Sequence, residues 1–206
     1  MQKERITNTL NELFNDSKYD RIKIAKGVAK SIFRPIKPTD FEEAYLSISK
    51  EQGEHLVQII KENNFKNIIE FGTSFGISTL FLAQGILDTN GHIITTELLE
   101  SKAKKAIENC KKAGVNNLIE VRIGDAIETL KNHKEPVDLL LLDGWKYLYL
   151  PLFQMLEPNF HCNTIIYVDN ADMTEVKAFL NTIAKDDKYQ LQTKFNNKAV
   201  LISRKK

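Results

Sequence analysis

A chain of 206 residues is long enough for one sizeable domain with a real core, and 42% hydrophobic with 27% charged residues is an ordinary globular composition. A net charge of +2 supplies no global field for nucleic acid, and no apolar run nears the ~20 residues that span a bilayer. The polar start MQKERITNTLNELF lacks an apolar signal core, and Cys110 and Cys162 have no metal-binding spacing, so both read as reduced thiols of a cytoplasmic protein.

Over the first 33 or so residues apolar positions recur at helical spacing: Ile6, Leu10, Leu13 and Phe14, then Ile22, Ile24, Ala25, Val28, Ala29 and Ile32. Pro35 and Pro38 punctuate the end of this region. This predicts an N-terminal helical segment over 1–45, ahead of a domain at 46–206. A helix follows at 50–63, with Leu56, Val57, Ile59 and Ile60 inward. From there strand and helix alternate. Strands are expected at 67–71, 92–97, 118–125, 137–143 and 164–170. Helices are expected at 78–86, 101–114, 126–133, 149–158 and 174–186, the second stopped by Gly114. The charged run SKAKKAIENCKK reads as a solvated helix face. The chain closes with strands at 189–195 and 199–204 around an Asn196-Asn197 turn.

Strict alternation implies a parallel sheet covered on both faces. The fold class is α/β: a doubly wound, mostly parallel seven-stranded sheet with a C-terminal antiparallel hairpin. Ligands of such sheets bind outside the carboxyl ends of the strands, so the chemistry is to be sought there.

The first strand ends in EFGTSFGIST (70–79). Gly72 and Gly76, spaced G-x-x-x-G behind Glu70, permit a tight turn and close backbone approach ahead of a helix N-terminus. The spacing is neither the dinucleotide fingerprint nor a P-loop, which disfavours a nicotinamide cofactor. It matches the loop that holds S-adenosylmethionine in class I methyltransferases. The second strand ends in Glu97, suited to accept hydrogen bonds from two ribose hydroxyls. The third ends in Gly124-Asp125-Ala126, where the carboxylate can reach an adenine amino group and the small alanine leaves room for the ring. The fourth ends in Asp143, with Lys146 three residues on, and the fifth in Asp169-Asn170.

The stretches YLSISKEQGEHL, IIEFGTSFGIST, GDAIETL, DLLLLDGWKYLYL and VDNADM, in this order over roughly residues 45–170, resemble the metal-dependent O-methyltransferases, which include the catechol and caffeoyl-CoA enzymes. The resemblance implies a Rossmann-like methyltransferase fold with S-adenosylmethionine as cofactor. It implies a divalent cation, Mg²⁺ or else Mn²⁺ or Ca²⁺, held by Asp143, Asp169 and Asn170. These are hard oxygen donors, which suit such ions rather than Zn²⁺. Lys146 would be the general base. Ile48, Glu70, Gly72, Thr73, Ser74, Gly76 and Ser78 would line the cofactor, with Glu97 on the ribose, Asp125 and Ala126 beside the adenine, and Asp143 also within reach. Trp145 would wall the substrate, and Tyr149 matches an aromatic of bacterial members.

The implied activity is methyl transfer to a catechol-like or vicinal-hydroxyl small molecule. Alternatives are methylation of a hydroxylated tRNA base, against which the near-neutral charge argues, and a catalytically inactive cofactor-binding protein. The expected partner is a hydroxylated small molecule, with no membrane, with nucleic acid disfavoured by the near-neutral charge, and a homodimer is left open. The segment after Asn170 is short where many members carry a long insertion. The acceptor site is therefore expected to be more open, or roofed by the N-terminal segment or a partner subunit.

Overall fold

In the computed structural model, which describes residues 1–205, seven strands form one sheet. They are β1 (Asn67–Phe71), β2 (His92–Glu97), β3 (Ile119–Ile123), β4 (Val137–Leu142), β5 (Phe160–Asp169), β6 (Tyr189–Lys194) and β7 (Ala199–Arg204). Their order is β3-β2-β1-β4-β5-β7-β6. The first five are mutually parallel, and β7 runs antiparallel to both β5 and β6. The helices are α1 (Gln2–Asp16), α2 (Asp20–Ala29), α3 (Lys50–Glu62), α4 (Ile77–Ile86), α5 (Glu100–Ala113), α6 (Ala126–Leu130), α7 (Tyr149–Leu156) and α8 (Thr174–Ile183). The doubly wound, mostly parallel sheet with its terminal hairpin is the one expected.

From β1 the chain winds outward through β2 to β3, then returns to β4 on the other side of β1. The strand order therefore reverses between β1 and β4, and the crevice outside their carboxyl ends is the switch point. Each strand of this centre is apolar on both faces. Ile68, Leu139 and Leu141 face a core shared with Leu56, Ile60, Leu80 and Ile86 of α3 and α4. Ile69, Leu140 and Leu142 face a second core with Tyr149, Phe153 and Phe179 of α7 and α8. Ile6, Leu10 and Leu13 of α1 belong to the first core, so the start of the chain is part of the same packed body.

The differences from the sequence reading have local causes. The first 33 residues form two helices separated by a tight turn at Ser17–Tyr19, and Ile22, Val28 and Ile32 point to solvent. Strand β5 begins at Phe160, ahead of the predicted 164, because a register irregularity lets it pair with β4 from Val137 onward. The Thr164 hydroxyl closes that irregularity by donating to the Val137 carbonyl at 2.6 Å. Helix α6 is cut to 126–130, and its N-cap is Asp125, whose side chain accepts from the Ile127 amide. Helix α3 opens with a capping box, Ser49 and Gln52 each binding the other's backbone amide.

Candidate active site at the switch point

The loop after β1 carries three consecutive demands on backbone conformation. Gly72 has φ +105, Ser74 φ +47 and Gly76 φ +89. The amides of Gly72 and Thr73 both donate to the Thr96 carbonyl at 3.1 Å, which folds the loop over the end of β2. A Cβ on Gly72 would stand 2.7 Å from the Asp143 carbonyl oxygen and 2.8 Å from the Gly144 nitrogen. One close approach that this glycine permits is thus to the end of β4. Glu70 is fully buried beneath the loop. It accepts from the Thr79 and Thr95 hydroxyls at 2.5 and 2.6 Å, while its other oxygen has no protein partner. Burial pushes this carboxyl up, against the hydroxyls of Ser78, Thr79 and Thr95. Of the residues expected to face the cofactor, Thr73 and Ser78 are buried with it, and Gly76 opens α4.

Glu97, half-buried at the end of β2, accepts from the Ser74 amide at 2.8 Å with one oxygen and from the Leu99 amide at 2.9 Å with the other, and each oxygen keeps a second acceptor site. The Asp125 carboxylate is exposed and caps α6, with Ala126 buried beside it. Ile48 is buried at the head of α3. The segment that leads to it, residues 44–48, is tied down from two sides. Asp20 accepts from the Tyr45 and Leu46 amides at 2.8 and 3.0 Å. From the other side the Lys102 amine donates to the Ala44 carbonyl at 2.8 Å and to the Ser74 hydroxyl at 3.3 Å, and that hydroxyl donates to the Tyr45 carbonyl at 2.7 Å. The Tyr45 and Phe75 rings lie 4.4 Å apart beside the amine.

Lys102 is the residue that the sequence reading missed. It was taken as part of a solvated face, yet only 5% of it is exposed. Burial pulls its amine below the ordinary lysine value, opposed by the charges of Glu97 and Asp20. The signal was present: Lys102, Ala106, Asn109, Cys110 and Ala113 are the buried stripe of α5 at intervals of four, seven, eight and eleven residues.

On the far side of the switch point the ends of β4 and β5 bring Asp143 and Asp169 together. The Asp143 amide donates to the Phe71 carbonyl at 2.9 Å, which fixes the turn out of β4 against β1. Its side chain is only 7% exposed. Burial first, then the charge of Asp169, raises its carboxyl well above the usual range. Asp169 is buried and accepts from the Gln52 amide at 2.6 Å. Asn170 turns the chain sharply in the left-handed region, φ +57. Lys146 stands with its amine 3.8 Å from the Asp143 carboxylate and donates to the Tyr149 hydroxyl at 2.9 Å. Burial holds that phenol well above its ordinary pKa, so Tyr149 is a neutral acceptor. Trp145 is half-buried and packs on the second core. A cavity of about 480 Å³ lined by Ile48, Ser49, Gln52, Asp169 and Asn170 opens beside the Asp169 carboxylate.

Among the described residues no three His, Cys, Asp or Glu side chains group as metal ligands. The expected ligand set has only two carboxylates and depends on the Asn170 amide for its third donor. Two buried carboxylates in mutual repulsion, with one lysine nearby, form an anionic centre that a small hard cation fits.

A family model described as O-methyltransferase matches residues 35–201. A catechol O-methyltransferase of Niastella koreensis is 33% identical over 129 residues, which span 61% of this chain and 58% of that protein. A catechol O-methyltransferase of Mycobacterium tuberculosis is 30% identical over 126 residues, spanning 61% and 57%. The matches thus span less than three-fifths of the length of these curated relatives. Among solved structures, an SAH-bound methyltransferase of Podospora anserina superposes with a TM-score of 0.75 at 20% identity, over 96% of this chain and 88% of that one.

Proposed function

The chain belongs to the O-methyltransferase family, and on that premise we propose that it transfers the methyl group of S-adenosylmethionine to one hydroxyl of a catechol-like or vicinal-hydroxyl small molecule. The observation that carries the reading is the buried Asp143–Asp169 pair with the Lys146 amine 3.8 Å away, at the one place in the sheet where the strand order reverses. Glu70, Gly72 and Glu97, proposed for the donor, belong to the ends of β1 and β2, and the proposed metal ligands Asp143, Asp169 and Asn170 follow β4 and β5, which supports a donor and an acceptor that meet across this point.

A divalent cation at Asp143, Asp169 and Asn170 would supply Lewis acidity that makes an adjacent hydroxyl easier to ionise. The chain's own residues then divide the work. Glu97 orients the donor's ribose, with the backbone of the β1–α4 loop alongside. Asp169 is kept in place by Gln52, and Asp143 by its backbone bond to Phe71. Lys146 takes the hydroxyl proton at its Nζ. Tyr149, neutral and fully buried, holds that nitrogen through its hydroxyl oxygen. The donor methyl is already activated, so positioning and charge should supply most of the rate.

The test is transfer of labelled methyl from S-adenosylmethionine to a panel of catechols, caffeoyl compounds and hydroxylated tRNA, with and without chelator. Chelator-sensitive methylation of a catechol or caffeoyl compound is expected. Methylation of the tRNA alone would overturn the small-molecule reading, and full activity in excess chelator would overturn the metal.

A further inference from the structure

Helix α2 turns one face to the fold and carries an apolar stripe on another that has no partner among the described residues. Its inner face is used. Gly27 lies against the Phe41 ring, Lys23 stands over the Tyr45 ring at 5.5 Å, and Asp20 binds the Tyr45 amide. Its outer face carries Ile22, Ala25 and Ala29 at intervals of three and four residues, continued by Ile32 and Phe33 in the turn that follows. All are exposed, Ile32 to 79% and Phe33 to 89%. A helix that is apolar on an exposed stripe implies something that covers it.

The charge around the stripe identifies the occupant. Residues 18–40 hold seven lysines and arginines against two aspartates, a net +5 in a chain whose total is +2. One of those aspartates, Asp40, is consumed internally by Arg34 and Lys30 at 2.6 and 3.3 Å. Arg21 and Lys26 flank the apolar stripe on either side and are exposed. A second copy docked face to face would set like charges against each other around the same stripe. RNA would use the cations but leave Ile22, Ile32 and Phe33 without a role. An apolar stripe rimmed by cations is the pattern of a helix lying in the plane of an anionic bilayer surface, with its side chains sunk to the headgroup boundary.

We propose that α2 and the turn after it dock this protein on the surface of an anionic membrane, through Ile22, Ile32 and Phe33 flanked by Arg21 and Lys26. No helix among the described residues is long and apolar enough to cross a membrane, and none is needed for this mode of binding. The sequence reading expected no membrane partner because it found no spanning run, and docking on a surface is a different mode of binding. The docked helix also holds the cleft, because Asp20 carries the backbone of Tyr45 and Leu46 immediately ahead of the cavity residues Ile48 and Ser49.

Flotation of the full chain with phosphatidylcholine vesicles, with and without about 30% phosphatidylglycerol, tests this directly. The chain should float with the anionic vesicles and stay behind with the neutral ones, and high salt should release it. Ile32→Asp/Phe33→Asp and, separately, Arg21→Glu/Lys26→Glu should each weaken partition by roughly tenfold or more. All four side chains are exposed, so both variants should melt like the parent. Equal binding to neutral vesicles, no binding to either, or undiminished binding of both variants would overturn the proposal. So would sedimentation showing that the apolar variant merely converts a dimer to a monomer, or a mobility shift with RNA that vesicles do not compete away.

Discussion

Gly72→Ala should be the most damaging single-methyl addition at the switch point, and the structure sets its size. The residue sits at φ +105, where any side chain is strained by on the order of 1–2 kcal/mol. The new methyl would also stand 2.7 Å from the Asp143 oxygen and 2.8 Å from the Gly144 nitrogen. Both are backbone atoms tied into β4, and neither can rotate away, which adds roughly 1–3 kcal/mol of overpacking. The sum is about 2–5 kcal/mol, or a fall in Tm of roughly 5–15 °C for a chain of this size. Gly124→Ala is the control. Gly124 has φ +122, but a Cβ there would meet only the Thr129 methyl at 3.8 Å. It should therefore show the conformational cost alone, about 1–2 kcal/mol. Thermal and urea melts of the two variants, read beside binding of S-adenosylhomocysteine, separate strain from collision. If the two lose the same stability, the contact with β4 does not explain Gly72 and the reasoning fails. Any folded Gly72→Ala protein should also be impaired in metal-dependent transfer, because relief of the clash displaces Asp143.

Lys146→Ala should cut kcat by roughly 10²- to 10⁴-fold with little change in cofactor affinity, and the defect should shrink at high pH; a nearly active Lys146→Arg would rule out the base assignment. Asp169→Ala should abolish both activity and the thermal stabilisation that Mg²⁺ or Mn²⁺ gives the parent, while cofactor binding by calorimetry persists; retention of the metal-induced shift would remove Asp169 from the ligand set. Cys110 is 1% exposed and its thiol is pushed up to about 12 by burial. Native protein at about pH 8 should therefore take up one equivalent of iodoacetamide, at the exposed Cys162, and a second only in denaturant. The same shift has a sign for stability. The folded state keeps its proton where the unfolded thiol loses it, so this contribution is full below about pH 8.5 and is lost as pH rises towards 12. A Cys110→Ser variant should show less of that alkaline loss, and an unchanged slope would refute the assignment.

The fold was legible because its signals repeat. Five strands alternate with helices, β4 and β5 are apolar on both faces, and the Asn196-Asn197 turn marks the hairpin. The candidate site was legible only at strand ends, where Asp143, Asp169 and Asn170 stand out against apolar runs. Side-chain direction was not. That Glu70 lies in the layer beneath α4 and accepts from two threonines could not be read from its place ahead of a glycine loop. That Asp125, one residue before α6, also caps that helix was not read from the sequence. The outer face of α2 was read as helical spacing alone, because periodicity counts apolar residues without saying which of two stripes the core takes. Lys102 failed for the opposite reason. A lysine on a buried stripe is discounted by composition, and its partners, the Ala44 carbonyl and the Ser74 hydroxyl, lie 58 and 28 residues away in sequence.

Gln52 makes two bonds that belong to different parts of the molecule. Its amide oxygen accepts from the Ser49 backbone and completes the first turn of α3, while its nitrogen donates to Asp169 at 2.6 Å. One planar group is therefore shared between a helix start and a carboxylate of the candidate site. Whatever occupies Asp169 bears on how firmly the α3 terminus is closed, and with it the 44–48 segment just upstream. Free-energy coupling of this kind is reciprocal, so ordering that segment over a donor must tighten the carboxylate's hold on its own ligand by the same factor. The two halves of the crevice, assigned to donor and acceptor, would then fill in a cooperative rather than an independent order.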